Sequence, residues 1–417
     1  MAQLTDDCFA FGGSLMRIED AVALISERLP VLAGTEWLPL GQADGRVAAE
    51  HVLALHDVPP FPNSAVDGYA IRHGDLNPAG ETRLPVRGRL PAGTAVEEIL
   101  GDGGAIRIFT GAPMPPGADT VFMQEDVHRE GDVVVLPSGL KRGANARDAG
   151  EDIARGACAI PTGRRLRPQD LALAAASGHD RIAVRKRLRV ARFSTGDELT
   201  ELGTPLPSGA IHDSNRVMLA TLLTRLGVEV ADLGILRDEP EALAERLRQA
   251  ARDHDLILTS GGVSTGEEDH VKAAVEAVGA LMFWRLAIKP GRPVAMGVVD
   301  GVPFVGLPGN PGAVYVTLLF VVRPLLARLG GALDVAPLGQ PVRAAFAYRK
   351  KVGRREFVRV NVALGSDTVL EAVKYPRDGA GVLSSLTESD GLVELDDAVS
   401  AVAPGDILTF YPHAVLW

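Results

Sequence analysis

Between residues 15 and 29 (LMRIEDAVALISERL) apolar side chains recur at Leu15, Ile18, Val22, Ile25 and Leu29, the spacing of one helical face, and Pro30 closes the stretch. From about 57 to 153 the pattern shortens to alternating runs broken by Gly and Pro, such as Arg83–Leu90, Ala105–Thr110 and Asp132–Leu136, which predicts an all-β insert. Helical periodicity resumes at 164–178, with Pro168 at a helix start and Gly178 at its end. The two helical pieces, 15–56 and 154–184, are therefore expected to form one discontinuous linker domain around the insert at 57–153. From 185 to 333 strands and helices alternate, which predicts a parallel α/β domain. Asp255–Thr259 within it reads as a strand buried on both faces. Alternation of period two returns over 334–417, where a small β-barrel-like domain is expected.

Composition narrows the function. The 417 residues carry 43 basic against 53 acidic side chains, a net charge of −10, so non-specific nucleic-acid binding is not expected. An anionic ligand must then be held by a local basic cluster. Two cysteines, Cys8 and Cys158, exclude a disulfide framework and any Cys-rich metal site. The acidic, polar start MAQLTDD does not read as a signal peptide, and the apolar run Ala313–Val322 meets Arg323 too soon to span a bilayer. A reduced, soluble, cytoplasmic protein is expected. The run Arg181–Arg189 holds five basic residues in nine and reads as a solvated linker.

Ser260-Gly-Gly-Val-Ser-Thr-Gly266 follows the buried strand and precedes a helix, at the end of the sheet where open α/β folds bind ligands. Glycine amides and a helix N-terminus there suit an oxyanion. Gly262-Val-Ser264-Thr-Gly266 also matches a nucleophile elbow formally, but Glu267, Glu268 and Asp269 intervene before the helix and no oxyanion-hole segment precedes it. Neither Walker A nor G-x-G-x-x-G occurs. Phe283–Lys289 reads as one strand whose alternation puts Arg285 and Lys289 on one face, with Arg292 at the following turn, a grouping suited to phosphate or another oxyanion. Pro308 and Pro311 make a rigid turn into the last α/β helix. The loop carrying Asn63, Ser64 and Asp67-Gly68 offers a carboxylate, an amide and hydroxyls in a turn-like context. Asp152, Asp197, Glu198, Asp238 and Asp269 stand in loops, where oxygen ligands suit Mg²⁺ beside phosphates. Asp213-Ser214-Asn215 reads as an N-cap at the sheet edge.

These stretches, PPFPNSAVDGYA (59–70), TGAPMPPGADTVFMQE (110–125), GEDI (150–153), STGDEL (194–199), DSN (213–215), TSGGVSTGEED (259–269), KPGRP (289–293), GLPGNP (306–311) and GRREF (353–357), together resemble the MoeA family of molybdopterin molybdenumtransferases, which includes the gephyrin E domain. The resemblance spans about residues 15 to 410. It implies an elongated four-part subunit with a MogA-like α/β domain, and a homodimer whose sites are shared between the α/β domain of one subunit and the insert of the other. It implies Mg²⁺-dependent insertion of molybdate into adenylylated molybdopterin with release of AMP. Transient contact with a MogA-like adenylyltransferase and with molybdoenzymes, and none with nucleic acid or membrane, goes with that reading. Transferred by motif, Asp67, Thr110, Glu198 and Asp269 are the catalytic candidates. Ser260, Gly261, Gly262, Ser264, Asp213, Ser214, Asn215, Arg285, Lys289, Pro308 and Pro311 are the substrate-binding candidates, with Arg354 and Ser384 nearer the molybdate path. Asp238, Asp269 and Asp152 are the metal candidates. Val66 and Arg285 stand where the family usually has Met and Lys.

Overall fold

The computed structural model describes residues 15–95, 100–236, 240–262, 270–291, 293–333 and 336–416. Helix α1 (Ile18–Arg28) turns Ile18, Ala21 and Ile25 into the core and is stopped where Leu29 takes an extended conformation before Pro30. Strand β1 (Thr35–Pro39) follows it.

The insert is a six-stranded sheet. Its strands are β2 (Gly68–Ile71), β3 (Thr82–Leu90), β4 (Ala105–Ile108), β5 (Thr120–Met123), β6 (His128–Glu130) and β7 (Val133–Leu136), in the order β5-β2-β4-β3-β7-β6. Alternate residues of β3 are buried, as the sequence pattern predicts for a strand with one wet face. After the insert, α2 (Pro168–Ala176) begins at Pro168, and β8 (Arg181–Arg185) runs antiparallel to β1. The chain thus returns to the element it left: Ile160, Leu166 and Ala174 pack with Ala43 and Val52, whereas α1 joins the core of the α/β sheet.

Next come β9 (Arg189–Ser194), α3 (Ser214–Arg225), β10 (Glu229–Ile235), α4 (Pro240–Asp253), β11 (Leu256–Ser260), α5 (His270–Val278), β12 (Gly279–Arg285), β13 (Ile288–Lys289), β14 (Pro293–Val299) and β15 (Val302–Leu307). The sheet order is β10-β9-β11-β15-β14-β12. The first four are parallel, and all five residues of β11 are buried. The sheet is nonetheless mixed, because β14 and β12 form an antiparallel edge. A tight hairpin at Asp300-Gly301 causes this: both have positive φ, 47° and 89°, as a two-residue primed turn requires. One face packs against α1, α3 and the last helix, the other against α4 and α5.

That last helix runs from Pro311 to Leu329, as α6 (Pro311–Thr317), a π turn (Leu318–Val322) and α7 (Arg323–Leu329). It is longer than the apolar run in the sequence suggests, and by length and composition alone it would cross a membrane. In this fold it is the core helix instead, with Val314, Leu318, Leu319, Val321, Val322 and Leu325 fully buried.

The chain ends in β16 (Gln340–Ala344), β17 (Arg355–Leu364), β18 (Leu370–Lys374), β19 (Gly391–Leu395) and β20 (Ile407–Pro412). They pair in the cycle β17-β18-β16-β20-β19-β17, a closed five-stranded barrel around Val360, Ala372 and Val393.

Candidate functional site

A cavity of ≈ 960 Å³ lies between the carboxyl ends of β9, β11 and β15 and the wall of the barrel. Thr195–Glu198 follow β9, Gly261-Gly262 follow β11, and Pro308-Gly309-Asn310 follow β15; each segment lines it. The glycines are required by packing. Gly261 and Gly262 have φ of +86° and +64°, and a Cβ at Gly262 would stand 2.4 Å from both Thr195 Oγ1 and Val271 Cγ2. The Gly261 N–H donates to Leu307 O at 3.1 Å, and the missing side chains leave the floor of the cavity open.

Around that floor the N-cap triplet acts as scaffolding. Asp213 Oδ1 accepts from Arg216 N at 3.0 Å, and Asn215 Nδ2 donates to Gly309 O at 2.7 Å, fixing the loop that lines the cavity. Asp213 Oδ2 and Asn215 Oδ1 are buried without a partner. Ser260, also buried, places its Oγ 3.3 Å from Ser194 Oγ. Asp213, Ser214, Asn215 and Ser260 do not line the cavity themselves.

The barrel wall supplies the charge. Lys289 Nζ donates to Glu356 Oε2 at 3.0 Å and to Tyr348 Oη at 3.3 Å. Tyr348 Oη donates to the same Oε2 at 2.9 Å, and Arg354 Nε to Oε1 at 2.8 Å. Burial alone would raise the Glu356 carboxyl, which is 1% exposed; the hydrogen bonds from Lys289 and Tyr348 prevail and hold it below the ordinary glutamate value. Burial would likewise lower Lys289, and Glu356 and Tyr348 hold it above the ordinary lysine value. Deeper in the wall, Arg359 is 8% exposed and donates to Ser385 Oγ at 3.1 Å and Gly379 O at 2.8 Å. Of the serine pair, Ser385 is therefore the one tied to the cavity wall, while Ser384 starts a short helix and is half-buried.

The expected single strand Phe283–Lys289 does not form. β12 ends at Arg285, Leu286 and Ala287 are both buried, and β13 leaves the α/β sheet to pair with Arg355 and Glu356 of the barrel. A bend at Ala287 and the change of partner strand break the alternation, so Arg285 and Lys289 do not share a strand face. Lys289 reaches the cavity, whereas the exposed Arg285 does not line it.

A second group of candidates sits on the insert. Thr110 donates to Asp67 Oδ1 through its backbone N–H at 2.8 Å and its hydroxyl at 2.7 Å. The Thr110 amide first, then its hydroxyl, holds the Asp67 carboxyl below the ordinary aspartate value. Asp67-Gly68 is not the turn its sequence suggests: Gly68 opens β2, and a Cβ there would stand 1.8 Å from Phe122 O. Nearby, Arg89 and Arg107 stack over the Phe109 ring at 4.4 and 4.6 Å, and Arg107 Nη1 donates to Gly68 O at 2.9 Å. Asp152 is exposed, and its backbone N–H donates to Val58 O.

Of the residues expected at the site, the cavity of this one chain brings together Glu198, Gly261, Gly262, Lys289 and Pro308. Asp67, Thr110, Asp152, Pro311, Arg354 and Ser384 do not line it. Ser264, Asp238, Asp269 and Arg292 lie outside the described residues. Glu356, Tyr348, Arg359 and Asp378 line it and were not singled out from sequence; only the position of Glu356 within GRREF pointed that way. Among the described residues no three His, Cys, Asp or Glu side chains group as a metal site. Asp197 and Glu198 are exposed carboxylates at the cavity beside the glycine floor, a donor set that suits Mg²⁺ shared with phosphate oxygens.

Three family profiles match the chain in order: MoeA N-terminal region (domain I and II) over residues 16–178, probable molybdopterin binding domain over 191–328, and MoeA C-terminal region (domain IV) over 341–413. A molybdopterin molybdenumtransferase of Haemophilus influenzae is 37% identical over 400 residues, covering 95% of this chain and 98% of that protein. A molybdopterin molybdenumtransferase 2 of Mycobacterium tuberculosis is 35% identical over 88% of this chain and 92% of its own length. Among solved structures, a molybdopterin biosynthesis MoeA protein of Pyrococcus horikoshii superimposes with a TM-score of 0.81 at 29% identity, covering 96% of this chain and all of that one.

Proposed function

The chain belongs to the MoeA family, and from that premise we propose that its ≈ 960 Å³ cavity inserts molybdate into adenylylated molybdopterin and releases AMP. It is an enzyme of that family, a molybdenumtransferase acting at a late step of molybdenum cofactor biosynthesis. One observation carries the finer reading: a single cavity opposes a glycine floor without side chains, at the end of the parallel sheet, to a wall on which Glu356 holds Lys289. Gly261 and Gly262, without side chains at the end of a parallel sheet, let the phosphates of the nucleotide half approach the backbone closely. Lys289, on the opposite wall, suits a tetrahedral dianion such as molybdate.

Mg²⁺, held by Asp197 and Glu198 together with substrate phosphates, would neutralise charge on the phosphoanhydride being cleaved. Asp67 fits the task of orienting the attacking water, because both Thr110 hydrogen bonds go to Oδ1 and leave Oδ2 free. Since no described residue of the insert lines this chain's cavity, a second copy would bring Asp67 and Thr110 to it, in a homodimer with shared sites. Transient hand-over contacts with an adenylyltransferase and with molybdoenzymes accord with a substrate and product that are made and used elsewhere. The exposed free thiol of Cys158 accords with a cytoplasmic location.

The test is incubation of the purified chain with adenylylated molybdopterin, Mg²⁺ and molybdate. AMP and metal-loaded cofactor should appear together and depend on all three components. Binding of the adenylylated pterin without AMP release under any of these conditions would replace the enzyme with a carrier.

A further inference from the structure

At the opposite end of the same parallel strands lies a second cavity, of ≈ 510 Å³. Its walls come from residues 44–47, from 185–188 between β8 and β9, from 224–228 at the end of α3, and from α7. β9 alone, six residues at about 3.3 Å each, separates it from the first cavity by roughly 20 Å. In a chain of net charge −10, its lining is strongly basic. Arg46 and Arg185 are partly buried in it, with Lys186, Arg187 and Arg225 exposed around them, and among the described residues Asp44 is the one carboxylate of the lining.

What these cations touch leaves their charge largely uncompensated. Arg46 is paired with Glu36. Among the described residues, Arg185, Lys186, Arg187 and Arg225 form no ion pair. Arg185 Nη1 donates to Ala33 O at 3.3 Å and Arg187 Nη1 to Gly227 O at 3.4 Å, both neutral acceptors, and Arg185 Nε is buried with no acceptor. The carboxyl end of α3 opens here and offsets roughly half a unit charge through its dipole. That accounts for one of the four cations in part and leaves the others repelling one another.

We propose that this cavity is a second anion site, which takes a small ligand carrying two or more phosphate groups. Its volume falls in the range of about 300–1,000 Å³ typical of small-molecule sites, larger than a single oxyanion fills. Guanidinium forks match phosphate oxygens in pairs, and the four unpaired cations come from two chain segments, 185–187 and the end of α3, so one phosphate does not engage them all. A long nucleic-acid backbone would extend past the cavity onto a surface that is acidic overall, which favours a compact polyanion.

The experiment is calorimetric titration of the full chain with inorganic pyrophosphate and, separately, inorganic phosphate at low ionic strength. The side chains of Lys186 and Arg225 are exposed and make no hydrogen bond among the described residues, so Lys186→Glu and Arg225→Glu test the site without disturbing the fold. Lys289→Ala marks the other cavity. Pyrophosphate should saturate a site that survives Lys289→Ala, weakens at least tenfold in either charge-reversal variant, weakens less in Lys186→Gln and Arg225→Gln, and binds phosphate more loosely. Absence of saturable pyrophosphate binding, equal affinity for phosphate, or loss of binding in Lys289→Ala with none in the other variants would each overturn the proposal.

Discussion

Glu356 and Asp67 are both held ionised, by opposite means. Glu356 is 1% exposed and surrounded by Lys289, Arg354 and Tyr348, which between them engage both of its oxygens. Asp67 stands on the insert, where the Thr110 amide and hydroxyl engage one oxygen and leave the other open. A buried carboxylate engaged on both oxygens organises its neighbours and is closed off from a substrate by its burial. An anchored carboxylate with a free oxygen can meet a water or a metal ion. Disturbing Glu356 should therefore show first in stability and in the placement of cations, and disturbing Asp67 in rate.

The largest effect is expected at Glu356. Glu356→Ala leaves Lys289 and Arg354 facing each other without their common counter-ion; because Lys289 is half exposed, about 2–3 kcal/mol is expected, below the about 3–5 kcal/mol of a fully buried pair. Denaturant unfolding measures it, and a loss below 1 kcal/mol would mean that water already screens the cluster. The pH dependence has a definite sign. Because the folded Glu356 titrates below the ordinary value of 4.5, its contribution is complete above that pH and disappears as pH falls through the lowered value. Glu356→Gln should flatten the acid limb of the stability curve below about pH 4.5 and leave neutral pH less affected than Glu356→Ala does.

Asp67→Asn should reverse that profile. The unfolding midpoint stays with the wild type while AMP release falls by about 100-fold or more, the range for losing a positioned acid–base group. Unchanged release would reduce Asp67 to an anchor for Thr110.

A smaller effect separates neighbours from bystanders. Lys289→Ala and Arg354→Ala should each weaken molybdate retention by about 1.5–3 kcal/mol, and the double variant should fall short of their sum by at least about 0.5 kcal/mol, because both act through Glu356. Arg285→Ala should change stability by less than about 0.5 kcal/mol and combine additively with Lys289→Ala, since Arg285 is exposed and outside the cluster. Coupling of Arg285 to Lys289 would restore the single-strand reading that the bend at Ala287 and the change of sheet contradict.

How much the sequence disclosed follows the same division. Local signals were legible: the buried run at Asp255–Thr259, Pro168 opening α2, the glycines after β11, and the ordered motifs that place Asp67 and Thr110 in one family constellation. The Asp67–Thr110 contact was legible only through those motifs, because 43 residues separate the pair. Long-range organisation was hidden. Nothing local shows that Lys289 will pair with Glu356, 67 residues away, or that Arg359 will hold Ser385. The change of sheet between Arg285 and Ile288 was hidden because FWRLAIK has strand composition throughout; only the partner strand decides where pairing switches. The antiparallel edge did carry a local signal, Asp300-Gly301, whose left-handed conformation suits a two-residue turn. Gly68 read as a turn because Asp-Gly commonly makes one, whereas here the missing Cβ admits Phe122 O across the sheet.

The central claim is a site composed of the Glu356-organised cavity of one chain and the Asp67 loop of another, and mixed dimers test it most directly. An Asp67→Asn subunit combined with a Glu198→Gln subunit places both lesions in one of the two sites and leaves the other intact. Release of AMP by the mixture should rise well above that of either variant alone, toward half the wild-type rate per heterodimer. Activity that never exceeds the better parent, with heterodimer formation verified, would contradict the shared site.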